Sequence, residues 1–164
     1  MLISNDIDIG ITTNQQNPEQ FTEIKIGTQE LVVVTSENFT MKEVSLESLL
    51  ALGFINHPDG LYYLEKVLKN NFQDHKYLKN IKETCYVNQL SQILLPVSLE
   101  LGFTILPKFT VDNSEYLNKL RIIKLKKIVY ENLYISYKKH KDLPLRYQWS
   151  FDQLKIFVLT NSVI

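Results

Sequence analysis

His57 and Asp59 stand two positions apart in His57-Pro58-Asp59-Gly60, an imidazole and a carboxylate that could move a proton if a nucleophile joined them. Acyl-transfer chemistry needs three such groups within hydrogen-bond reach, and no Gly-x-Ser-x-Gly elbow presents a serine anywhere in the 164 residues. Catalysis is not expected. His57, His75 and His140 lack the paired spacing of a zinc site. The five glycines, Gly10, Gly27, Gly53, Gly60 and Gly102, form neither a phosphate loop nor a dinucleotide fingerprint. No metal and no cofactor is therefore expected, and binding is the chemistry left. Asn88, Gln89 and Ser91 lie at the start of an apolar run in which Leu90, Ile93, Leu94, Val97 and Leu101 recur at helical offsets. Amides, a hydroxyl and open backbone N–H groups at a helix N-terminus make a seat for a small anion. The same residues also read as a plain N-cap at Asn88 with solvated first-turn neighbours.

The stretch that must position them, residues 85–107, reads as strand, helix, glycine and strand, a crossover unit expected to be right-handed. Gly102 supplies a left-handed residue to end the helix. Residues 103–106 suit a strand buried on both faces, as in a parallel sheet. Pro96 predicts a kink costing about 3 kcal/mol. Burial of five aliphatic side chains at about 1.5–3 kcal/mol each outweighs it.

Elsewhere the pattern predicts a strand over 7–13, two strands over 21–26 and 31–34 separated by a turn at Gly27, and a helix over 44–52 capped by Ser45 and ended by Gly53. A strand over 53–56 leads to a helix capped by Asp59, with Leu61, Leu64, Leu68 and Phe72 as its buried stripe. A polar loop over 70–79 and a strand over 81–87 follow. Beyond Pro107 come a polar connection at 112–116 and strands over 120–125 and 133–137. Pro144 opens a last helix that buries Trp149, Phe151, Leu154 and Phe157. Strands alternating with helices make an α/β architecture.

Composition narrows the partners. Apolar residues make up 45% of the chain, enough for a folded core, and 18 basic residues balance 18 acidic ones. A neutral chain lacks the basic face that grips nucleic acid. The basic cluster Lys138, Lys139, His140 and Lys141 is short and meets Asp142, as a solvated turn would, and the nine tyrosines are not interleaved with a basic stripe. Cys85 has no internal disulfide partner, which fits a buried thiol in a reducing compartment. Neither a secretory leader nor an apolar run of roughly 18 residues is present, so a cytoplasmic chain that does not enter a membrane is expected.

Five segments occur in an order that resembles the effector-binding domain of LysR-type transcriptional regulators: IDIGITT at 7–13, ELVVVTSENF at 30–39, GFINHPDG at 53–60, YVNQLSQILLPVSLELGFTILPKFTV at 86–111 and NLYISYKKHKDLP at 132–144. The resemblance implies a type II periplasmic-binding-protein-like fold, two α/β lobes joined by crossover strands with a small molecule held in the cleft. Lobe I would comprise residues 1–50 and 128–164, with its opening strand-helix-strand-helix portion incomplete, and lobe II residues 51–127. Carried over by position, the effector-binding residues would be Thr12, Thr13, Thr35, Asn56, His57, Asn88, Gln89 and Phe103. The implied function is sensing of a small polar metabolite that controls transcription. DNA would be reached only through an N-terminal domain with no counterpart before Met1, and the full-length protein would be a homo-oligomer. The chain departs from the family in having Glu100-Leu101-Gly102 where a Gly-x-Gly is usual, and in Pro96. A solute-binding protein of a transporter, or a truncated subunit that senses nothing, are the other functions these residues allow.

Overall fold

Leu31, Val32, Val33 and Val34 are all buried, and alternate residues of this run feed two cores. Leu31 and Val33 pack with Leu49, Phe54, Leu64, Val67, Leu68 and Phe103. Val32 and Val34 pack with Ile55, Ile93, Leu94, Val97, Leu106 and Val111. A strand that is apolar on both faces needs helices above and below it, and the following chain supplies them. The computed structural model describes residues 2, 4, 6–13, 17–40, 45–72, 81–141 and 143–161. They divide into two units, Leu31–Val129 and the pair Met1–Glu30 with Tyr130–Ile164.

Residues 31–50 thus group with the second unit and not with lobe I, where the resemblance placed them. Strand pairing is the reason. β2 (Phe21–Ser36) is one strand of 16 residues, and its end pairs antiparallel with β5 (Thr104–Pro107) over Leu31 to Val34 and with β6 (Leu120–Ile123) over Val33 to Ser36. The turn expected at Gly27 does not form. Gly27 sits inside this strand without a positive φ, and an extended glycine does not break a ladder.

In the second unit α1 (Leu46–Leu52) starts at the expected cap, Ser45, whose hydroxyl accepts the N–H of Ser48 while the Ser48 hydroxyl accepts the N–H of Ser45, a reciprocal capping box. Gly53 ends it with φ 81°. β3 (Phe54–Asn56) follows, then α2 (Gly60–Asn71), whose N-cap Asp59 makes no side-chain capping bond. The buried stripe of α2 is Tyr63, Leu64, Val67 and Leu68; Leu61, expected inside, is 47% exposed. Residues 73–80, most of the expected polar loop and His75 among them, lie outside the described residues. β4 (Glu83–Tyr86) pairs in parallel with β3. Cys85 is half-buried against the second core and is a free thiol.

The helix expected over residues 90–101 is broken in two. A 3-10 turn spans Leu90–Gln92, and α3 is only Leu94–Ser98. Pro96 explains the break: an interior proline forfeits a backbone bond, whereas in the first turn of α3 its missing N–H has no partner to lose. Glu100, with φ 64°, makes the left-handed exit that Gly102 was expected to make. Past β5 comes α4 (Lys108–Asp112), a helix not expected from the sequence, which ends where the polar connection at 112–116 was expected to begin.

In the first unit β1 (Ile9–Thr12) pairs antiparallel with β7 (Val129–Lys138), and β7 lies next to β2. Among the described residues β1 is an edge strand of this sheet. α5 (Arg146–Asn161) contributes Tyr147, Phe151, Leu154 and Val158 to a core with Ile26, Leu133, Ile135 and Tyr137. Those helix positions fall at offsets of four, three and four, one stripe of a 3.6-residue period. Trp149 and Phe157, expected inside, lie off that stripe and are 69% and 54% exposed.

Candidate functional site

Three strand ends meet in the second unit. β3 pairs with β4 on one side, Asn56 facing Tyr86, and Phe54 bridges Phe103 in parallel on the other. The spatial order is β4, β3, β5, although the chain visits β3, β4, β5. It leaves β3 through α2 to reach one side and returns past β3 to the other. Where strand order reverses in this way, the segments leaving the carboxyl ends diverge and a crevice forms. Asn56 ends β3 and His57 follows it, Val87 and Asn88 follow β4, and α4 follows β5 directly.

A groove of about 740 Å³ opens there, lined by Gln89, Leu90, Ser91 and Leu94 from the β4 side and by Phe109, Thr110, Asn113, Ser114 and Glu115 from α4 and the turn after it. That volume is in the range of small-molecule sites. Asn88 and Gln89 are both exposed. Gln89, not Asn88, holds the N-cap position of the 3-10 turn, and it makes no side-chain capping bond. The anion seat expected on a long helix dipole therefore loses its basis, because a 3-10 turn followed by five α-helical residues aligns few peptide dipoles. The α4 residues were missed in the sequence, yet they carried a signal: Pro107 immediately ahead and the Lys108–Asp112 pair one turn apart.

Asn56 and His57 are buried. The Asn56 side-chain oxygen accepts the His57 N–H at 2.8 Å, and its backbone carbonyl accepts the Val87 N–H at 2.9 Å. His57 Nε2 lies 3.0 Å from the Ile105 carbonyl, which can only accept, so Nε2 carries the proton. Burial holds the imidazole below its ordinary 6.5; the Ile105 carbonyl and Asp59 oppose the shift without cancelling it. His57 thus braces the β3 exit against β5 as a neutral donor. As pH falls through 6.5 the unfolded chain takes up a proton that the folded chain resists, so stability is lost on acidification toward the lowered folded value. The melting temperature is expected to fall as the pH is lowered through 6.5 toward the depressed folded value, and His57→Gln, which keeps a donor toward Ile105, to flatten that slope. An unchanged slope in the variant would assign it to other groups.

Thr35 and Phe103 are not placed with these residues. Val34 faces Thr104 and Phe54 faces Phe103, so Thr35 lies level with the beginnings of β3 and β5, whereas Asn56 and His57 lie at the end of β3. The Thr35 hydroxyl is buried and donates to the Ser36 carbonyl at 3.2 Å. Phe103 is 1% exposed, its ring 5.3 Å from that of Phe54 in the core, and it offers no face to a ligand. In the first unit Thr12 ends β1, its hydroxyl 2.8 Å from that of Ser136, which donates to Glu23 at 3.1 Å. Thr13 follows it, half-buried.

The model of the LysR substrate binding domain matches residues 1–156. No relative was found among curated proteins. Among solved structures, the Synechocystis PCC6803 CcmR regulatory domain in complex with 2-PG is similar with a TM-score of 0.74 at 13% identity, over 99% of this chain and 78% of that one. The effector-binding domain of QuiR in complex with shikimate gives 0.68 at 19%, over 99% and 77%. The regulatory domain of CrgA, a LysR-type regulator from Neisseria meningitidis, gives 0.73 at 17%, over 96% and 78%. Against HinK from Pseudomonas aeruginosa the chain spans 54% of the partner's length. At these identities the likeness shows the fold, mixed α/β and periplasmic-binding-protein-like; the family rests on the domain model. With 156 of its residues accounted for, the chain belongs to the LysR substrate-binding domain family, the effector-binding part of LysR-type regulators.

Proposed function

We propose that this chain senses a small polar metabolite and passes its presence to a DNA-binding part of the same regulator, acting in the cytoplasm as part of a homo-oligomer and catalysing no reaction. The observation that carries the reading is the groove at the ends of β4 and β5, at the reversal of strand order where α/β folds bind ligands. Gln89 and Thr110, one from each of the two lining segments, are its candidate polar contacts, with Asn88 beside Gln89 in the chain. Thr12 and Thr13 are the candidates in the first unit. Asn56 and His57 act from behind, holding the β3 exit in place. A metabolite can drive a regulatory change only through a difference in its affinity for two states.

A ligand that binds the folded chain raises its melting temperature by mass action. Screening a broad panel of metabolites by thermal shift is expected to find at least one that does so. Gln89→Ala and Thr110→Ala should each reduce the rise by weakening binding about ten-fold, the loss of one or two hydrogen bonds, while leaving the unliganded melting temperature within about 2 °C. No rise with any metabolite would refute a working sensor.

A further inference from the structure

The groove's lining combines leucine and phenylalanine side chains with amides and hydroxyls, and carries one carboxylate. Among its described lining residues Glu115 is the only ionisable side chain, and it is exposed, with the half-buried Tyr116 next to it in the chain. Lys108, the cation of α4, is tied to Asp112 at 2.5 Å. Leu94 is buried, whereas Leu90 and Phe109, one from each lining segment, are 59% and 41% exposed and leave apolar surface in the groove. The Asn113 amide is engaged by the Phe109 carbonyl at 2.8 Å, and the Ser114 hydroxyl accepts the Tyr116 N–H at 3.1 Å. Gln89, Ser91 and Thr110 add neutral hydrogen-bonding groups.

Resting on the effector-binding reading, we propose that this groove takes a neutral or cationic ligand group on an apolar body, an amine or an alcohol, and turns away carboxylates and phosphates. Desolvating an anion is costly unless a cation receives it, and here it would meet the Glu115 carboxylate with no lysine or arginine among the described lining residues. An ammonium group gains from the same carboxylate. Leu90 and Phe109 would cover an apolar body of aromatic size.

The test uses three probes that share one body: 2-phenylethylamine, 2-phenylethanol and phenylacetate, each titrated into the isotopically labelled chain and followed at the backbone amides of Leu90, Ser91, Thr110 and Asn113. The amine and the alcohol are expected to shift these amides, the amine binding about three- to five-fold tighter, as suits a partly exposed charge contact. Phenylacetate should not shift them. Glu115→Gln should bring the amine to the affinity of the alcohol, and Leu90→Ser should weaken both. Phenylacetate binding as well as the amine, or no probe shifting the four amides, overturns the proposal. A carboxylate metabolite that raises the melting temperature while leaving these amides unmoved would uphold the sensing function and overturn this assignment of its ligand.

Discussion

Phe103→Ala is expected to lower the unfolding free energy by about 3–5 kcal/mol, the cost of emptying a fully buried aromatic site. Phe103 is 1% exposed and packs on Phe54 in the core that also holds Leu31, Leu49, Leu64 and Ile105. Those neighbours come from β2, α1, β3, α2 and β5, elements fixed by their own pairings, so the cavity has little freedom to collapse. A domain held by about 5–15 kcal/mol would lose a large share of its stability. The loss should show as a lower denaturant midpoint at unchanged slope. A variant that kept its midpoint but no longer responded to a ligand would return Phe103 to the binding site, where the resemblance had put it.

Gly102→Ala is expected to cost roughly 2–4 kcal/mol, from backbone strain together with a damaged strand contact. Gly102 has φ 155°, and a Cβ there would stand 2.5 Å from the Gly53 carbonyl oxygen. That oxygen accepts the Phe103 N–H at 3.0 Å, part of the bridge that sets β3 beside β5. Gly53→Ala should also destabilise, since its φ is 81° and its Cβ would lie 2.3 Å from the Thr84 methyl group. The two differ in what they strike. Removing the methyl group with Thr84→Ser should recover part of the Gly53→Ala loss and little of the Gly102→Ala loss, because the obstacles at Gly102 are the Gly53 carbonyl and, at 2.9 Å, the Thr84 hydroxyl oxygen that serine keeps. Thermal or urea unfolding of the two single and two double variants measures this directly, and equal rescue of both would refute the assigned contact.

Both positions bear on binding because the β3–β5 bridge decides where the groove opens. The exit of β3, braced by His57 on the Ile105 carbonyl, and the start of α4 after β5 are held at the distance this bridge sets. A variant that loosens it should weaken ligand binding without touching a lining residue, whereas Gln89→Ala removes a contact and leaves the scaffold intact.

The sequence by itself determined what depends on neighbours along the chain. Ser45 begins α1 and Gly53 ends it, because a capping hydroxyl and a positive φ are local demands. The apolar run over residues 103–106 announced a strand buried on both faces, and five ordered segments were enough to point to the family. The tertiary structure decided what depends on which strand lies beside which. Register put Thr35 level with the start of β3 while Asn56 closes its end, although both look like strand-end polar residues in one dimension. The β7 neighbour carried β2 straight through Gly27, and the face taken by the first unit's core left Trp149 outside. The groove follows the same rule. Its two walls, Gln89 to Leu94 and Phe109 to Glu115, are about twenty residues apart in sequence and meet because β5 returns past β3, an arrangement that long-range pairing selects and that no local pattern encodes.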